Sequence, residues 1–318
     1  MELFTTVTLP KAHPVLDIHS SVMFLGSCFA DNVGEELRKR MGQENVCVNP
    51  FGVLYNPFSI HQALMLLARL KPDLTYDEWQ AACPFLFKGQ EGVWHSWLHS
   101  GLFSATTREE CLHKTYDALI EGHNMLRNCD LLCITFGTTK YYTIAEPDTG
   151  GALIVANCHK EPQRFFREVD GDLNEAIEQW QQLLTLLHQL NPKMKVCFTV
   201  SPYRYRKYGL HESQLQKAKL LLLCDSLITS AKATAISGDT SKSSTDRLFY
   251  FPSYEIQLDE LRDYRFYNPD MLHPSEQAVA IITERFVDWT FTSQLRQLAE
   301  KNMAQWRHSQ HRTIVTNA

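Results

Sequence analysis

A serine and a cysteine stand side by side in the segment FLGSCFADNVG, residues 24–34, where an apolar run gives way to a helical pattern. Ser27 would lie at the carboxyl edge of a strand, where the N-terminus of the next helix offers unpaired backbone N–H groups to an oxyanion. A hydroxyl there becomes a nucleophile once a base takes its proton, whereas the alternative is that Ser27 only caps the helix. Cys28 is a rival nucleophile, because a helix N-terminus lowers a thiol pKa. We favour Ser27, since Cys28 is expected to turn inward beneath the sheet.

An aspartate and a histidine stand three residues apart in the segment NPDMLHPSEQAV, residues 268–279. Pro274 is typical of the first position of a helix, so His273 is expected at the start of that helix, near the rim of the fold. At this spacing Asp270 can turn back and accept a hydrogen bond from the imidazole, which fixes its tautomer and stabilises the imidazolium. The alternative is that both residues only shape the start of the helix. Together with Ser27, the pair has the composition of a Ser-His-Asp triad.

The segments that must position these residues alternate between short apolar runs and longer amphipathic stretches. The runs that predict strands are 21–26, 45–50, 130–139, 195–203 and 247–256. The stretches that predict helices are 29–42, 56–70 (capped by Asn56, with Pro57 at its first position), 108–128, 173–192, 213–233 and 274–291, with a helical tail to about 309. The segments YYTIAE and GALIVAN, separated by PDTGG, predict a β-hairpin, 71–108 is expected to be irregular, and 238–246 is expected to be a polar loop.

This order predicts an α/β protein, an α/β sandwich whose parallel central sheet is covered by helices on both faces. One domain over residues 1–318 is expected, with insertions at about 71–108 and 140–170 and a helical extension over 292–318. In such sheets ligands bind at the carboxyl ends of the strands. Four strand ends carry polar or small residues: Gly26–Ser27, Asn49–Gly52, Gly137–Thr139 and Ser201–Pro202.

Composition excludes several classes of function. Hydrophobic residues make up 44% of the 318 positions, enough for a sizeable core, and the net charge of -5 with no basic stripe argues against a nucleic-acid partner. The nine cysteines include no C-x-x-C pair, so reduced thiols are expected and a structural zinc site is not. No apolar run reaches the ~18 residues of a membrane span. The N-terminus lacks a signal-peptide pattern, which predicts a cytoplasmic location without membrane association.

Residues 26–30 spell GSCFA, and this segment resembles the defining motif of the GSCFA domain family. The resemblance extends over roughly 20–290, through the segments NPFGVLYNP, ITFGTT, NCHKEP, TVSPYR and the block that ends in NPDMLHPS. The family looks like a divergent branch of the SGNH (GDSL-type) hydrolases, which are three-layer α/β/α esterases and acetylhydrolases. The resemblance therefore implies an SGNH-like fold, a three-layer α/β/α sandwich with a flavodoxin-like parallel sheet, and an esterase activity.

Roles follow from the resemblance position by position. Ser27 matches the nucleophile, His273 the general base and Asp270 the residue that orients it. The backbone N–H of Ser27 or Cys28 and that of Gly52 match oxyanion donors. In the third SGNH block, which reads G-x-N-D, this chain has Gly137-Thr138-Thr139-Lys140, so Thr139 stands where an oxyanion-donating Asn is expected. Loss of one such donor typically costs about 2.7–4 kcal/mol of transition-state stabilisation, so another group must substitute or the reaction must be slow or different.

Polar residues of the inserted segments are the candidate substitutes. They are Asn49 beside Gly52, His159 in NCHK, and His99 and Ser100 in WLHSGLF, with Trp94 and Trp97 nearby. Aromatic side chains beside polar groups are typical of a pocket for a sugar or an acyl chain. Each histidine could equally be a hydrogen-bonded structural residue. No spacing supports a metal site built from His95, His99 and His159, so no metal is expected.

These observations predict a serine esterase or acylhydrolase that acts on a small O-acyl group, such as acetyl, on a carbohydrate or similar polyol. No cofactor is expected, the expected partner is the small-molecule or carbohydrate ester substrate and not a nucleic acid or a membrane, and the oligomeric state is left open. Two alternatives stay open: an O-acyltransferase with the same triad, and a binding protein that kept the fold without turnover. A triad within hydrogen-bonding reach in an open cleft favours the hydrolase, a long channel the transferase, and a filled cleft the binding protein.

Overall fold

A computed structural model of the chain describes residues 5–9, 15–83, 85–145, 151–236 and 247–315. The predicted polar loop at 238–246 and most of the predicted hairpin turn lie outside these residues. Among the residues described, no helix is both long and apolar enough to span a bilayer.

Ten strands occur in the described residues. In chain order they are β1 (Val22–Gly26), β2 (Val46–Val48), β3 (Leu86–Lys88), β4 (Trp94–Ser96), β5 (Leu131–Phe136), β6 (Lys140–Ala145), β7 (Ala152–Val155), β8 (Arg167–Asp170), β9 (Lys195–Val200) and β10 (Leu248–Tyr250). The helices are α1 (Cys28–Met41), α2 (Pro57–Arg69), α3 (Tyr76–Ala82), α4 (Arg108–Asn128), α5 (Leu173–Leu190), α6 (Leu210–Ile236), α7 (the single turn Ser253–Glu255), α8 (Glu276–Thr290) and α9 (Ser293–Val315).

The central sheet has five parallel strands in the order β10-β9-β5-β1-β2. Counted along the chain within this sheet, the order is the flavodoxin-like 2-1-3-4-5, so the predicted topology is confirmed. Gly26, the last residue of β1, pairs with Thr135 of β5, and Phe136 of β5 pairs with Val200 of β9. The three strands therefore end at nearly the same level. The order reverses between β1 and β5, which is the point where sheets of this kind bind ligands.

Helices cover both faces of the sheet. Neighbouring residues of a strand point to opposite faces, and on β1 the residues of both faces are apolar and buried. Met23 and Leu25 of β1 pack with α2, α4, α5 and α6, whereas Val22 and Phe24 pack with α1, α8 and α9. Every residue of β1 is buried. The predicted three-layer α/β/α sandwich is thus confirmed.

Local signals place several helix boundaries as predicted. Asn56 caps α2 through its side chain, which accepts from the amide of Ser59, and Pro57 is the first helical residue. Helix α4 has the predicted bounds. The start of α8 differs from the prediction, because Ser275 caps this helix and Pro274 lies before it.

The insertions contain more regular structure than predicted. Residues 71–108 were expected to be irregular, yet they hold α3 and the antiparallel pair β3–β4. Stacking of Phe87 on Trp97, with ring centroids 3.5 Å apart, anchors this pair, and such short strands leave little sequence periodicity. The predicted hairpin β6–β7 is confirmed, and β8 adds an unpredicted third strand beside β6.

Candidate active site

A cavity of about 250 Å³ lies at the carboxyl edge of the sheet, lined by residues that directly follow β1 and β9, the two strands on either side of β5. Its lining combines hydroxyl, thiol, amide, phenol and imidazole groups. The lining residues are Ser27, Cys28, Phe29, Asn32, Tyr55, Ser201, Tyr203, Tyr205, Asn268, His273 and Pro274.

The strand-to-helix turn at Ser27 depends on the glycine before it. Gly26 has a φ of +149°, and a Cβ there would lie 2.3 Å from the carbonyl oxygen of Thr135. Only glycine lets β1 approach β5 this closely as the chain turns into α1. Ser27 follows as the N-cap of α1, and its Oγ accepts a hydrogen bond of 3.3 Å from the amide of Phe29. Ser27 therefore caps the helix, as the structural alternative predicts, and it also lines the cavity.

Cys28 does not turn inward beneath the sheet, so that expectation is wrong. The side chain is only partly buried, lines the cavity, and places its Sγ 3.5 Å from the hydroxyl of Tyr55. The first position of α1 points the side chain toward the cavity because Ser27 is the cap and the helix begins at once. Both candidate nucleophiles therefore face the same space.

His273 is oriented by Asp270, as the spacing predicts. The imidazole Nδ1 lies 2.5 Å from Oδ2 of Asp270, whose Oδ1 accepts from the amides of Leu272 (2.9 Å) and His273 (3.0 Å). The hydrogen bond to the imidazole, with the two amides, lowers the pKa of Asp270 to about 2. Nε2 is the ring nitrogen that has no hydrogen bond to any of the described residues, and the ring packs against that of Tyr203 with centroids 4.3 Å apart.

Ser27 and His273 come from opposite ends of the sequence and meet at one cavity. In the described part of the chain, however, no hydrogen bond joins the serine hydroxyl to the imidazole. Catalytic hydrogen bonds are often open in the absence of substrate, and rotation of a serine side chain changes such a distance readily. The structure thus places Ser27 at the same cavity as the Asp270–His273 pair, but without a hydrogen bond between Ser27 and His273.

Three of the residues predicted to stabilise an oxyanion are engaged elsewhere. Asn49 accepts from the amide of Gly26 (2.8 Å) and donates to Asp31. The amide of Gly52 donates to the carbonyl of Asn49 at 2.6 Å. The hydroxyl of Thr139 donates to Asp170 at 2.7 Å. None of the three is among the residues that line the cavity, so the structure does not place them against a bound substrate.

Gly137 does lie beside Ser27, and a tyrosine occupies the space next to it. A Cβ on Gly137 would lie 2.7 Å from the Tyr205 hydroxyl and 3.6 Å from Cβ of Ser27. The amide of Gly137 itself donates to the carbonyl of Tyr55 at 2.7 Å. Burial raises the pKa of both the Tyr205 and the Tyr55 hydroxyl, so both remain protonated and able to donate. These two hydroxyls are the nearest counterpart of the missing amide donor.

The sequence did not lead us to predict the tyrosines of the cavity, Tyr55, Tyr203 and Tyr205. The segment SPYRYRKY directly follows β9, and alternation of tyrosine with arginine was the available signal. Tyr203 and Tyr205 line the cavity, whereas Arg204 and Arg206 line a shallower cleft on the other side of this extended segment. Alternation of this kind is what an extended chain produces.

The predicted histidines form a separate cluster inside the 71–108 insertion and the segment after β7. Nδ1 of His99 pairs with the hydroxyl of Ser96 at 2.9 Å, and Nε2 of His159 with the carbonyl of Ser96 at 2.9 Å. Burial lowers the pKa of His99 to about 3 and that of His159 to about 4. His95 stacks near His159 with ring centroids 4.6 Å apart, but none of the three histidines lines the cavity. Among the described residues, no group of three or more His, Cys, Asp or Glu side chains could hold a metal ion.

The tryptophans and Ser100 also belong to this insertion. Trp97 stacks on Phe87, and Trp94 exchanges backbone hydrogen bonds with Ala105. The hydroxyl of Ser100 sits 2.0 Å from where a Cβ on Gly52 would be, so Gly52, with a φ of +72°, lets the insertion pack against the loop after β2. The cluster supports that loop and does not face the cavity.

The fold and site define a class: a flavodoxin-like α/β/α sandwich with a serine at the end of its first strand and an Asp–His pair before α8. The family comparison agrees with the motif, because the model of the GSCFA family matches residues 21–286. The chain belongs to the GSCFA family.

Two solved structures show distant similarity. One, from Streptococcus pneumonia, is provisionally named a platelet activating factor; it is 11% identical, with a TM-score of 0.36 over 84% of this chain and 84% of that chain. The other is an acetyl xylan esterase from the rumen bacterium Butyrivibrio proteoclasticus; it is 12% identical, with a TM-score of 0.36 over 85% of this chain and 63% of that chain. A search of the curated proteins finds no match.

Proposed function

We propose that this protein is a serine hydrolase of small acyl esters. One observation carries the proposal: Ser27 and an aspartate-oriented His273 line the same cavity at the carboxyl edge of a parallel sheet. A role for Ser27 as a helix cap does not require a histidine at the same cavity. A role for His273 in shaping the start of a helix does not require that it line a cavity.

In the proposed reaction, Nε2 of His273 takes the proton of Ser27 as Oγ attacks the ester carbonyl. Asp270 keeps the proton of the neutral imidazole on Nδ1 and stabilises the imidazolium that forms. The imidazolium then protonates the departing alcohol, which leaves an acyl-serine. Water deprotonated by His273 attacks this acyl group and releases the acid.

The oxyanion needs donors that the predicted Asn, Gly and Thr positions do not supply here. The Tyr205 hydroxyl is the best placed, because it lies beside both Gly137 and Ser27. The Tyr55 hydroxyl lines the same cavity and already contacts Cys28, at the first turn of α1. A protonated phenol donates one hydrogen bond, as an Asn amide would. The backbone N–H of Cys28 remains a predicted donor.

The size and lining of the cavity support the proposed substrate class. A volume of about 250 Å³ suits a short acyl group rather than a long chain. Phenol rings and the amides of Asn32 and Asn268 offer the stacking faces and hydrogen bonds that a sugar or polyol uses. A small O-acyl ester of a carbohydrate or similar polyol therefore remains the proposed substrate.

The proposal is tested by covalent labelling with a fluorophosphonate probe, read by intact mass. The variants are Ser27→Ala, Cys28→Ala and the control Thr107→Ala, which removes an N-cap oxygen from α4 away from the cavity. We expect one adduct in the wild type, in Cys28→Ala and in Thr107→Ala, and none in Ser27→Ala. Circular dichroism confirms that each variant is folded.

Other outcomes redirect the assignment. An adduct lost only in Cys28→Ala would make the thiol the nucleophile. No adduct on a folded wild type would favour the binding protein. An O-acyltransferase would be labelled at Ser27 as well, so an acyl-enzyme that persists in water and is discharged by a polyol would favour that alternative over the hydrolase.

A further inference from the structure

A buried lysine that the proposed mechanism does not use lies directly beneath the site. Lys217, on α6, is 2% exposed. Its Nζ donates to the carbonyl oxygen of Gly137 at 2.6 Å and to that of Ser201 at 2.7 Å. These carbonyls follow the carboxyl ends of β5 and β9, so one ammonium group links the Ser201 loop, which lines the cavity, to the Gly137 loop, which lies beside Ser27.

The surroundings of this ammonium are unusual for a buried charge. In the described part of the chain no carboxylate contacts Nζ. Glu212, one turn earlier on α6, pairs with Lys140, and Glu255 of α7 accepts from the hydroxyl of Tyr250. What faces Nζ besides the carbonyls are the rings of Tyr205 and Tyr254, at 5.3 and 5.9 Å. A buried cation normally needs a full counter-charge, so its retention in this place calls for a function.

Both hydrogen bonds of Lys217, and its contact with the Tyr205 ring, lead to residues of the candidate site. Gly137 lies beside Ser27 and the Tyr205 hydroxyl. Ser201 begins the segment that carries Tyr203, which packs on His273, and Tyr205. A positive charge near the face of the Tyr205 ring also draws electron density from the phenol and makes its hydroxyl a better donor. Loosening Nζ would therefore disturb both the oxyanion side and the base side of the cavity.

We infer that Lys217 is a positioning residue whose ammonium group fixes the Gly137 and Ser201 loops and so holds the Tyr205 hydroxyl beside Ser27. This inference rests on the proposed function and adds that the protonation of Lys217 regulates that same site. The charged form makes charge-assisted hydrogen bonds to both carbonyls. The neutral amine keeps N–H donors but loses the charge that attracts both oxygens and polarises the ring.

Two pH effects of opposite sign follow. Burial lowers the pKa of Lys217 from its ordinary 10.5 to about 7. Between these values the unfolded chain binds more protons than the folded chain, so this group makes the free energy of unfolding rise with pH. Activity should fall around pH 7, where the folded protein loses this proton, because the neutral amine holds the loops less tightly. A protein that becomes less active while it becomes no less stable is not simply unfolding.

The test measures the rate of fluorophosphonate labelling of Ser27 from pH 6 to pH 10, with thermal unfolding at each pH. The variants are Lys217→Met and the control Lys193→Met, whose lysine pairs with Asp130 at the opposite end of the same sheet. We expect the wild type and Lys193→Met to lose about tenfold in rate above neutral pH. Lys217→Met should be slow throughout and lack this alkaline decline.

A double-mutant cycle tests whether Lys217 acts through Tyr205. Lys217→Met should slow labelling much less in a Tyr205→Phe background than in the wild type, because the same hydroxyl would already be gone. If Lys217→Met does not fold, Lys217→Arg keeps the charge across the whole range and should abolish the alkaline decline.

The outcomes separate the two proposals. A labelled wild type with no alkaline decline, or a decline that persists in folded Lys217→Met or Lys217→Arg, would overturn the role of Lys217 and leave the hydrolase intact. A folded wild type that is unlabelled at every pH would overturn the proposed function and this inference with it.

Discussion

Replacing Tyr205 by phenylalanine tests the oxyanion assignment most directly, because it removes one oxygen atom and keeps the ring. In the described residues the hydroxyl has no hydrogen bond to the protein, while the backbone amide of Tyr205 donates to Ser213 at 3.1 Å. Removing the hydroxyl should therefore change the free energy of unfolding by no more than about 0.5 kcal/mol.

The expected effect on the rate is far larger. Loss of one oxyanion donor typically costs about 2.7–4 kcal/mol, which corresponds to about 10²–10³ in kcat. Because Tyr55 offers a second neutral hydroxyl to the same cavity, we expect the lower end, about 100-fold, for Tyr205→Phe. The contribution arises mainly in the transition state, so KM should change little.

The assay is hydrolysis of p-nitrophenyl acetate, with Tyr55→Phe and the remote Tyr116→Phe in parallel. Tyr116 donates to the carbonyl of Leu74 at 2.8 Å, away from the cavity, so its variant controls for the loss of a tyrosine hydroxyl. A Tyr205→Phe enzyme with unchanged kcat would refute the reasoning, and a loss confined to KM would move Tyr205 from the oxyanion to substrate binding.

Asp270→Asn should lower kcat by about 10–100-fold, which is less than in a fully buried triad. The loss is smaller because the side chains of Asp270 and His273 are both more than 40% exposed, so water can replace part of their interaction. An unchanged kcat would show that Asp270 has no part in the mechanism. Burial lowers the pKa of His99 from 6.5 to about 3, so below pH 6.5 the unfolded chain gains protons that the folded chain does not, and stability falls as the pH drops. Urea unfolding at several pH values should show a shallower decline for His99→Gln, and an equal slope would contradict the assignment. Gly26→Ala should lose about 2–4 kcal/mol of stability, because its Cβ would meet the Thr135 carbonyl, whereas Gly101→Ala, which has open space, should lose less than about 1 kcal/mol.

Much of the fold could be predicted because its signals are local. Apolar runs flanked by helical stretches predicted the five strands of the central sheet, and Asn56 with Pro57 predicted the start of α2. The pairing of Asp270 with His273 was also local, since three residues of one turn determine it.

The missing parts of the site depend on contacts between distant segments. Tyr205 becomes an oxyanion candidate only because β9 lies beside β5 and brings its hydroxyl next to Gly137. Thr139 was assigned by motif position, but the later strand β8 supplies Asp170, which takes its hydrogen bond. The alternation of tyrosine with arginine after β9 indicates which side chains share a face, but the sequence does not indicate which distant residue either Tyr205 or Thr139 contacts.

Helix α9 limits where the chain can be truncated without exposing its core. Helix α9 lies beyond residue 286, where the match to the family ends, yet Leu295 and Ala299 are buried in the same core as Phe29. Asn302 donates to the carbonyl of Arg40 at 2.7 Å, at the far end of α1. Residues beyond the matched range therefore pack against α1, the helix that Ser27 caps. A fragment trimmed to residues 21–286 would lose the α9 side chains that pack in this core and would expose apolar surface along α1.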